Sequence, residues 1–129
     1  MKPLLVVLSA LLLAGCSLFE AEGLDRTFLL PVVDLDVPET TAVGQPFRVG
    51  ITAQITNTCI TFERLEVGLE GDQLSLGAVG RERARPGENC PVVIENVETS
   101  TQHTPTRTGE LLVVAQGYDG PIQATVTVE

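Results

Sequence analysis

The chain has 129 residues, with seventeen Asp plus Glu against eight Lys plus Arg, a formal net charge of −9, three Cys, one His and no Trp. This balance argues against a nucleic-acid backbone as partner, because counterion release needs clustered positive charge, and against a polybasic membrane contact. A single histidine leaves little for zinc-type ligation.

The N-terminus reads as an export signal. Lys2 gives a positive start, Pro3 to Leu13 (PLLVVLSALLL) is an apolar run, and Ala14 and Gly15 are small. The run falls short of the roughly 20 apolar residues that a spanning helix needs, and it has the length and flanks of a signal-peptide core. Leu13-Ala14-Gly15-Cys16 then resembles the lipobox of bacterial lipoproteins. The resemblance implies that residues 1–15 are a signal peptide removed by cleavage, and that the Cys16 thiol carries a diacylglyceryl thioether. It also implies a lipid-anchored place in the cell envelope. Ser17 after the cysteine favours the outer membrane, if the host has one.

From Cys16 onward the chain would keep 129 − 15 = 114 residues, one domain's worth. Lys2 is the only lysine, so this part carries seven Arg against seventeen acids, a formal net charge of −10. Its partnership with a membrane would therefore run through the lipid. Residues 16–27 (CSLFEAEGLDRT) read as the lipidated N-terminus and a tether, and residues 28–129 as a single domain.

From residue 28 the hydropathy alternates. Strands are expected near 28–37, 46–56, 61–70, 73–80, 91–98, 110–117 and 121–128. In Pro46 to Thr56, Phe47, Val49, Ile51, Ala53 and Ile55 share one face, and Arg48, Thr52, Gln54 and Thr56 the other, as in a half-buried strand. Leu65, Val67 and Leu69 alternate with Glu66, Gly68 and Glu70 in the same way. Leu111 to Ala115 (LLVVA) is apolar on both faces, as a central strand would be. Gly, Pro, Asp and Asn punctuate the gaps. Asp119-Gly120 signals a hairpin with a loop slightly longer than two residues.

Seven short strands with no helical period point to an all-β, antiparallel β-sandwich, a small barrel being the competing architecture. Val37-Pro38 through Val43-Gly44-Gln45-Pro46-Phe47, and the closing Thr108-Gly109-Glu110-Leu111 hairpin, resemble bacterial Ig-like domains. The absence of Trp and the place of Cys59 at a strand end depart from antibody-type domains. Cys59 and Cys90, an even pair in an exported chain, read as a disulfide. Closing a loop of about 32 residues would stabilise the fold by about 3.7 kcal/mol in the chain-entropy picture.

Signs of catalysis are few. The G-x-S-x-G, H-E-x-x-H, P-loop and dinucleotide patterns are missing. A Ser/His/Asp triad could use only His103, which reads as a solvated loop residue in TSTQHTPT. The aromatics Phe19, Phe28, Phe47, Phe62 and Tyr118 are too few for sugar platforms. An enzyme is not expected, nor a cofactor. Asp34 and Asp36, with Glu39 following, could offer oxygens to Ca²⁺ or form a solvated strand face that discourages edge pairing. Arg81, Arg83 and Arg85 could meet an anionic partner, although alternation with Glu82 reads as a mixed surface.

The turn Asn57, Thr58, Ile60 and Thr61, held by the disulfide, is the best candidate recognition loop. The expected function is a non-catalytic protein-binding or structural module, lipid-anchored, with an envelope protein as partner. The alternative is a loop-presenting inhibitor of an envelope protease.

Overall fold

A computed structural model of the chain describes residues 23–129. The expected signal peptide, Cys16 and the expected tether up to residue 22 lie outside the described residues. The rest is all-β, built from nine strands in two packed sheets. They are β1 (Leu24–Leu30), β2 (Val32–Asp36), β3 (Thr40–Thr41), β4 (Phe47–Asn57), β5 (Ile60–Glu70), β6 (Gln73–Ala84), β7 (Val92–His103), β8 (Gly109–Gly117) and β9 (Gly120–Val128). One sheet runs β2-β4-β7. The other runs β1-β6-β8-β9-β3, with β5 on the far side of β6.

The architecture is therefore a β-sandwich, with nine strands where seven were expected. Pro31 accounts for part of the difference. It has no N–H to give to a ladder, and the chain changes sheets there, so the 28–37 segment becomes β1 and β2. Leu30 and Val32 on either side are both buried, at 1% exposure. The short β3 pairs with the last residues of β9 in parallel, Thr40 opposite Thr127. A second parallel ladder joins Gln73–Leu76 of β6 to Leu112–Ala115 of β8, so the sandwich is not wholly antiparallel.

The domain also begins earlier than the boundary at residue 28. Leu24, Asp25, Arg26 and Thr27 belong to β1 and pair with Ala84 through Arg81 of β6. The residues expected to close the tether are thus part of the sheet.

Burial follows the alternation. Phe47, Val49, Ile51, Ala53 and Ile55 of β4 all face the core, and Leu74, Leu76 and Ala78 of β6 meet them from the other sheet together with Val113 and Val126. β6 is long enough to serve three neighbours. β5 covers one flank, while β8 and then β1 share the other end to end. Gly80 lets β1 close onto it, since a Cβ there would stand 2.5 Å from Leu30 Cδ2 and 2.8 Å from Cγ.

Two hairpins close through two-residue turns, the β8–β9 turn tighter than expected and the β5–β6 turn as the expected strands 61–70 and 73–80 imply. Gly117 pairs with Gly120, leaving only Tyr118 and Asp119 in the turn, two residues and not more. Glu70 pairs with Gln73 around Gly71-Asp72, with Gly71 at φ 59°, the positive value that primed hairpin turns need.

Substituting Gly80→Ala should lower the unfolding free energy by about 1–3 kcal/mol, because Leu30 has to leave its rotamer or push β1 outward. Chemical denaturation against the parent protein measures this.

Candidate functional site

The two sheets are joined at one end of the sandwich by two crossovers. Thr58-Cys59 carries the chain from β4 to β5, and residues 85–91 carry it from β6 to β7. Cys59 and Cys90 form the expected disulfide between them, with Cα atoms 5.4 Å apart. Backbone bonds reinforce the junction: Thr58 N–H donates to Pro91 C=O at 3.1 Å, and Arg83 N–H to Cys59 C=O at 3.1 Å. The 85–91 loop closes on itself, Arg85 N–H donating to Glu88 Oε2 at 2.7 Å.

Beneath this junction lies Glu82, a buried charged residue at 5% exposure. Its Oε2 accepts from Asn57 Nδ2 at 2.7 Å, and its Oε1 from Arg26 Nε at 3.0 Å. Asn57 Oδ1 in turn accepts from the Cys59 N–H at 2.9 Å. One carboxylate thus ties β1, β6 and the end of β4 together. Its cover is thin, because the Arg26 side chain above it is 60% exposed. The Asn57 hydrogen bond, with help from Arg26, holds the Glu82 carboxyl below its usual range, and burial opposes this.

On the outer face of the same strands the arginines are paired. Arg81 meets Asp25 in a two-pronged contact, Nε to Oδ1 at 2.8 Å and Nη2 to Oδ2 at 2.9 Å, which lowers the Asp25 pKa. Arg83 stands 3.7 Å from the same carboxylate and its side chain is 63% exposed. Beside them opens a shallow cleft of about 450 Å³, walled by Thr58, Thr61, Phe62, Glu63, Arg81 and Arg83 and closed by the 85–91 loop. Its chemistry is that of a recognition surface. Arg83 can donate to a carboxylate or a peptide carbonyl, and Thr58 and Thr61 offer hydroxyls beside the apolar edge of Phe62.

The structure divides the sequence-predicted residues. Thr58 and Thr61 are exposed and line the cleft. Ile60 is not available for contact: it is 6% exposed and part of the core, because the chain has already entered the second sheet. Asn57 is committed to Glu82 and the Cys59 amide. Glu82 itself faces inward, so the alternation in GRERARP is two outward arginines around a buried acid, and the acids that mix the outer surface are Asp25 and Glu63 of neighbouring strands. Arg85 lies in the 85–91 loop, apart from the paired Arg81.

Elsewhere, Asp36 binds Arg48 at 3.1 Å, with Asp34 and Glu39 exposed nearby in sequence. Among the described residues no group of three or more His, Cys, Asp or Glu is placed to hold a metal ion. His103 is not a solvated loop residue. It ends β7 at the opposite end of the sandwich, half-buried, edge-on to Phe47 with ring centroids 5.8 Å apart. Its strand partner is also Phe47.

Comparison with known protein families, with curated proteins and with solved structures found no match. The reading of the site rests on its geometry.

Glu82 sets an acid limit on stability. Because its folded pKa is depressed, its contribution is full above the ordinary carboxylate value of about 4.3 and is lost as pH falls through the lower folded value. Glu82→Gln should cost roughly 2 kcal/mol at neutral pH, from the lost charge-assisted bonds, and its deficit should shrink on acidification. Denaturant titrations of both proteins at neutral and acid pH measure the convergence.

Proposed function

We propose that this chain is an exported lipoprotein of the cell envelope, anchored through acylated Cys16, whose β-sandwich is a non-catalytic protein-binding or structural module. The observation that carries the reading is Leu13-Ala14-Gly15-Cys16 placed directly after an eleven-residue apolar run from Pro3 to Leu13. The Cys59–Cys90 disulfide supports it, since such bridges persist in oxidising compartments. The disulfide-braced cleft around Thr58, Thr61 and Arg83 is the surface best built to receive a protein partner.

Tethering makes a weak interface sufficient. A partner in the same membrane is held at an effective concentration on the order of millimolar when the linker is short, so a shallow cleft with one available guanidinium can serve. The protease-inhibitor reading has less support. Such a loop must project into an active site, whereas the Thr58-Cys59 turn is two residues long and is followed at once by buried Ile60.

Two measurements test the proposal. The intact mass of protein purified from its host should lack residues 1–15 and carry acyl chains on Cys16; an unmodified Cys16 refutes the anchor. Crosslinking in cells should then attach one dominant protein near Thr58, Thr61 or Arg83. Substituting Arg83→Glu should reduce that adduct several-fold without changing the protein's amount. An adduct yield unaffected by Arg83→Glu removes the cleft from the interface.

A further inference from the structure

We propose that the disulfide end of the sandwich rests on the lipid surface, with Leu24, Val92 and Ile94 entering the headgroup region and the Arg83 cleft held facing sideways. The inference builds on the lipid-anchor reading and assigns the orientation that the anchor imposes.

Covalent reach comes first. Leu24 opens β1, eight residues after Cys16, and eight residues cover at most about 28 Å even when fully extended. Leu24 pairs with Ala84, the last residue of β6, which places the start of the domain at the disulfide end. The other end is far away. Gln73, at the start of β6, neighbours Leu112, and Gly109 pairs with Val128 beside the C-terminus. A twelve-residue strand such as β6 spans about 40 Å. Whatever course residues 16–23 take, the disulfide end is therefore the one that the anchor keeps nearest the bilayer.

That end carries the two most exposed aliphatic side chains of the described residues, while Leu69, Leu29 and Val67, all more exposed than Leu24, lie elsewhere. Val92 is 83% exposed and Ile94 66%, with Leu24 at 44%. Val92 sits opposite Asn57, where the β4–β7 ladder ends, and Leu24 where the β1–β6 ladder ends, so both ladders finish in aliphatic residues facing solvent. An interfacial surface needs such side chains in company with cations whose stems reach past them to lipid phosphate. Arg85 stands there, exposed in the 85–91 loop.

Charge is distributed to match. Four of the seven arginines, Arg26, Arg81, Arg83 and Arg85, are gathered at this end. Against them stand Asp25, Glu63, Glu82, Glu88 and Glu95, leaving one excess negative charge here out of the eight carried by residues 23–129, while Glu20 and Glu22 add two acids on the segment that leads in from Cys16. Among the described residues this end is nearly neutral. The cleft opens on the outer side of the β1-β6 sheet, while Val92 and Ile94 belong to β7 in the other sheet. Contact through the end would thus leave the cleft open to a neighbour in the membrane plane.

The chain contains no Trp, so one introduced indole reports without background. The acylated full-length protein carrying Val92→Trp is reconstituted into phosphatidylcholine–phosphatidylglycerol vesicles and compared with Val43→Trp, a substitution at the opposite end. The expected result is blue-shifted emission from the position 92 indole, quenched by brominated lipid, with neither effect at position 43. Arg85→Ala should weaken the quenching. Protein that floats with the vesicles yet shows an unquenched indole at position 92 overturns the docking and spares the anchor. Protein that fails to float overturns the anchor, and the docking with it. A blue shift that grows with protein concentration in the absence of lipid assigns the patch to a second copy of the chain and also overturns the proposal.

Discussion

A carboxylate withdrawn from water has to be met by donors, and Glu82 is met from two other strands at once. Arg26 reaches it from β1 and Asn57 from the end of β4, at 3.0 and 2.7 Å. A one-residue slip of β1 along β6 would turn Arg26 to the opposite face and leave the acid without its cation. It would also carry Asp25 off Arg81. Two ion pairs on opposite faces of one ladder therefore specify a single register for a strand whose only sheet partner among the described residues is β6. Asn57 extends the constraint across the sandwich, and the disulfide repeats it covalently a few residues away. This end is over-determined, and a rigid edge can stand there without help from the larger apolar core.

The other end is held differently. Phe47 meets His103 edge to face, and the carbonyl of Pro105 accepts from Gly44 N–H at 2.9 Å. No covalent link spans the described residues there. The proposed interface and the proposed anchor both fall on the braced end, which is physically reasonable: a weak interface gains from surfaces that lose little freedom on contact.

The parts of the fold that were legible in the sequence are those where one face meets the core and the other meets water. Phe47 to Ile55 is the clearest, since each inward residue is buried and Arg48, Thr52 and Gln54 on the outward face are polar. Period two fails where a strand's composition speaks louder than its phase. Leu74, Leu76, Ala78, Gly80 and Glu82 lie on one face, so the phase alone carries Glu82 inside. Four charges in GRERARP nonetheless suggest a surface. His103 was hidden for a related reason. Its polar neighbours read as loop, and only the long-range register with Phe47 makes it part of a strand. Ile60 looked like a loop residue because Cys59 precedes it. The crossing into the second sheet, which buries it, is a tertiary event with no local mark. The strand at Leu24 was equally obscure, because its leading residues Leu24 to Thr27 are exposed and its reason for pairing lies 56 residues away in Arg81 and Glu82.

The distribution of charge has a mechanical consequence for a tethered domain. Edge strands β5 and β7 carry Glu63, Glu66 and Glu70, and Glu95 and Glu98, which deter strand addition by other chains. Most of these acids, with Asp34, Asp36, Glu110, Asp119 and Glu129, lie away from the nearly neutral disulfide end. Beside an anionic bilayer, such a body is repelled within about a Debye length, roughly 8 Å at physiological salt, while its neutral end is not. Repulsion of the acidic flanks and the short covalent reach from Cys16 then act in the same direction. Neither needs strong attraction between protein and lipid. On the proposed anchor, an upright domain with its braced cleft turned toward neighbours in the membrane plane would follow from where the described residues lack acids as much as from where the arginines stand.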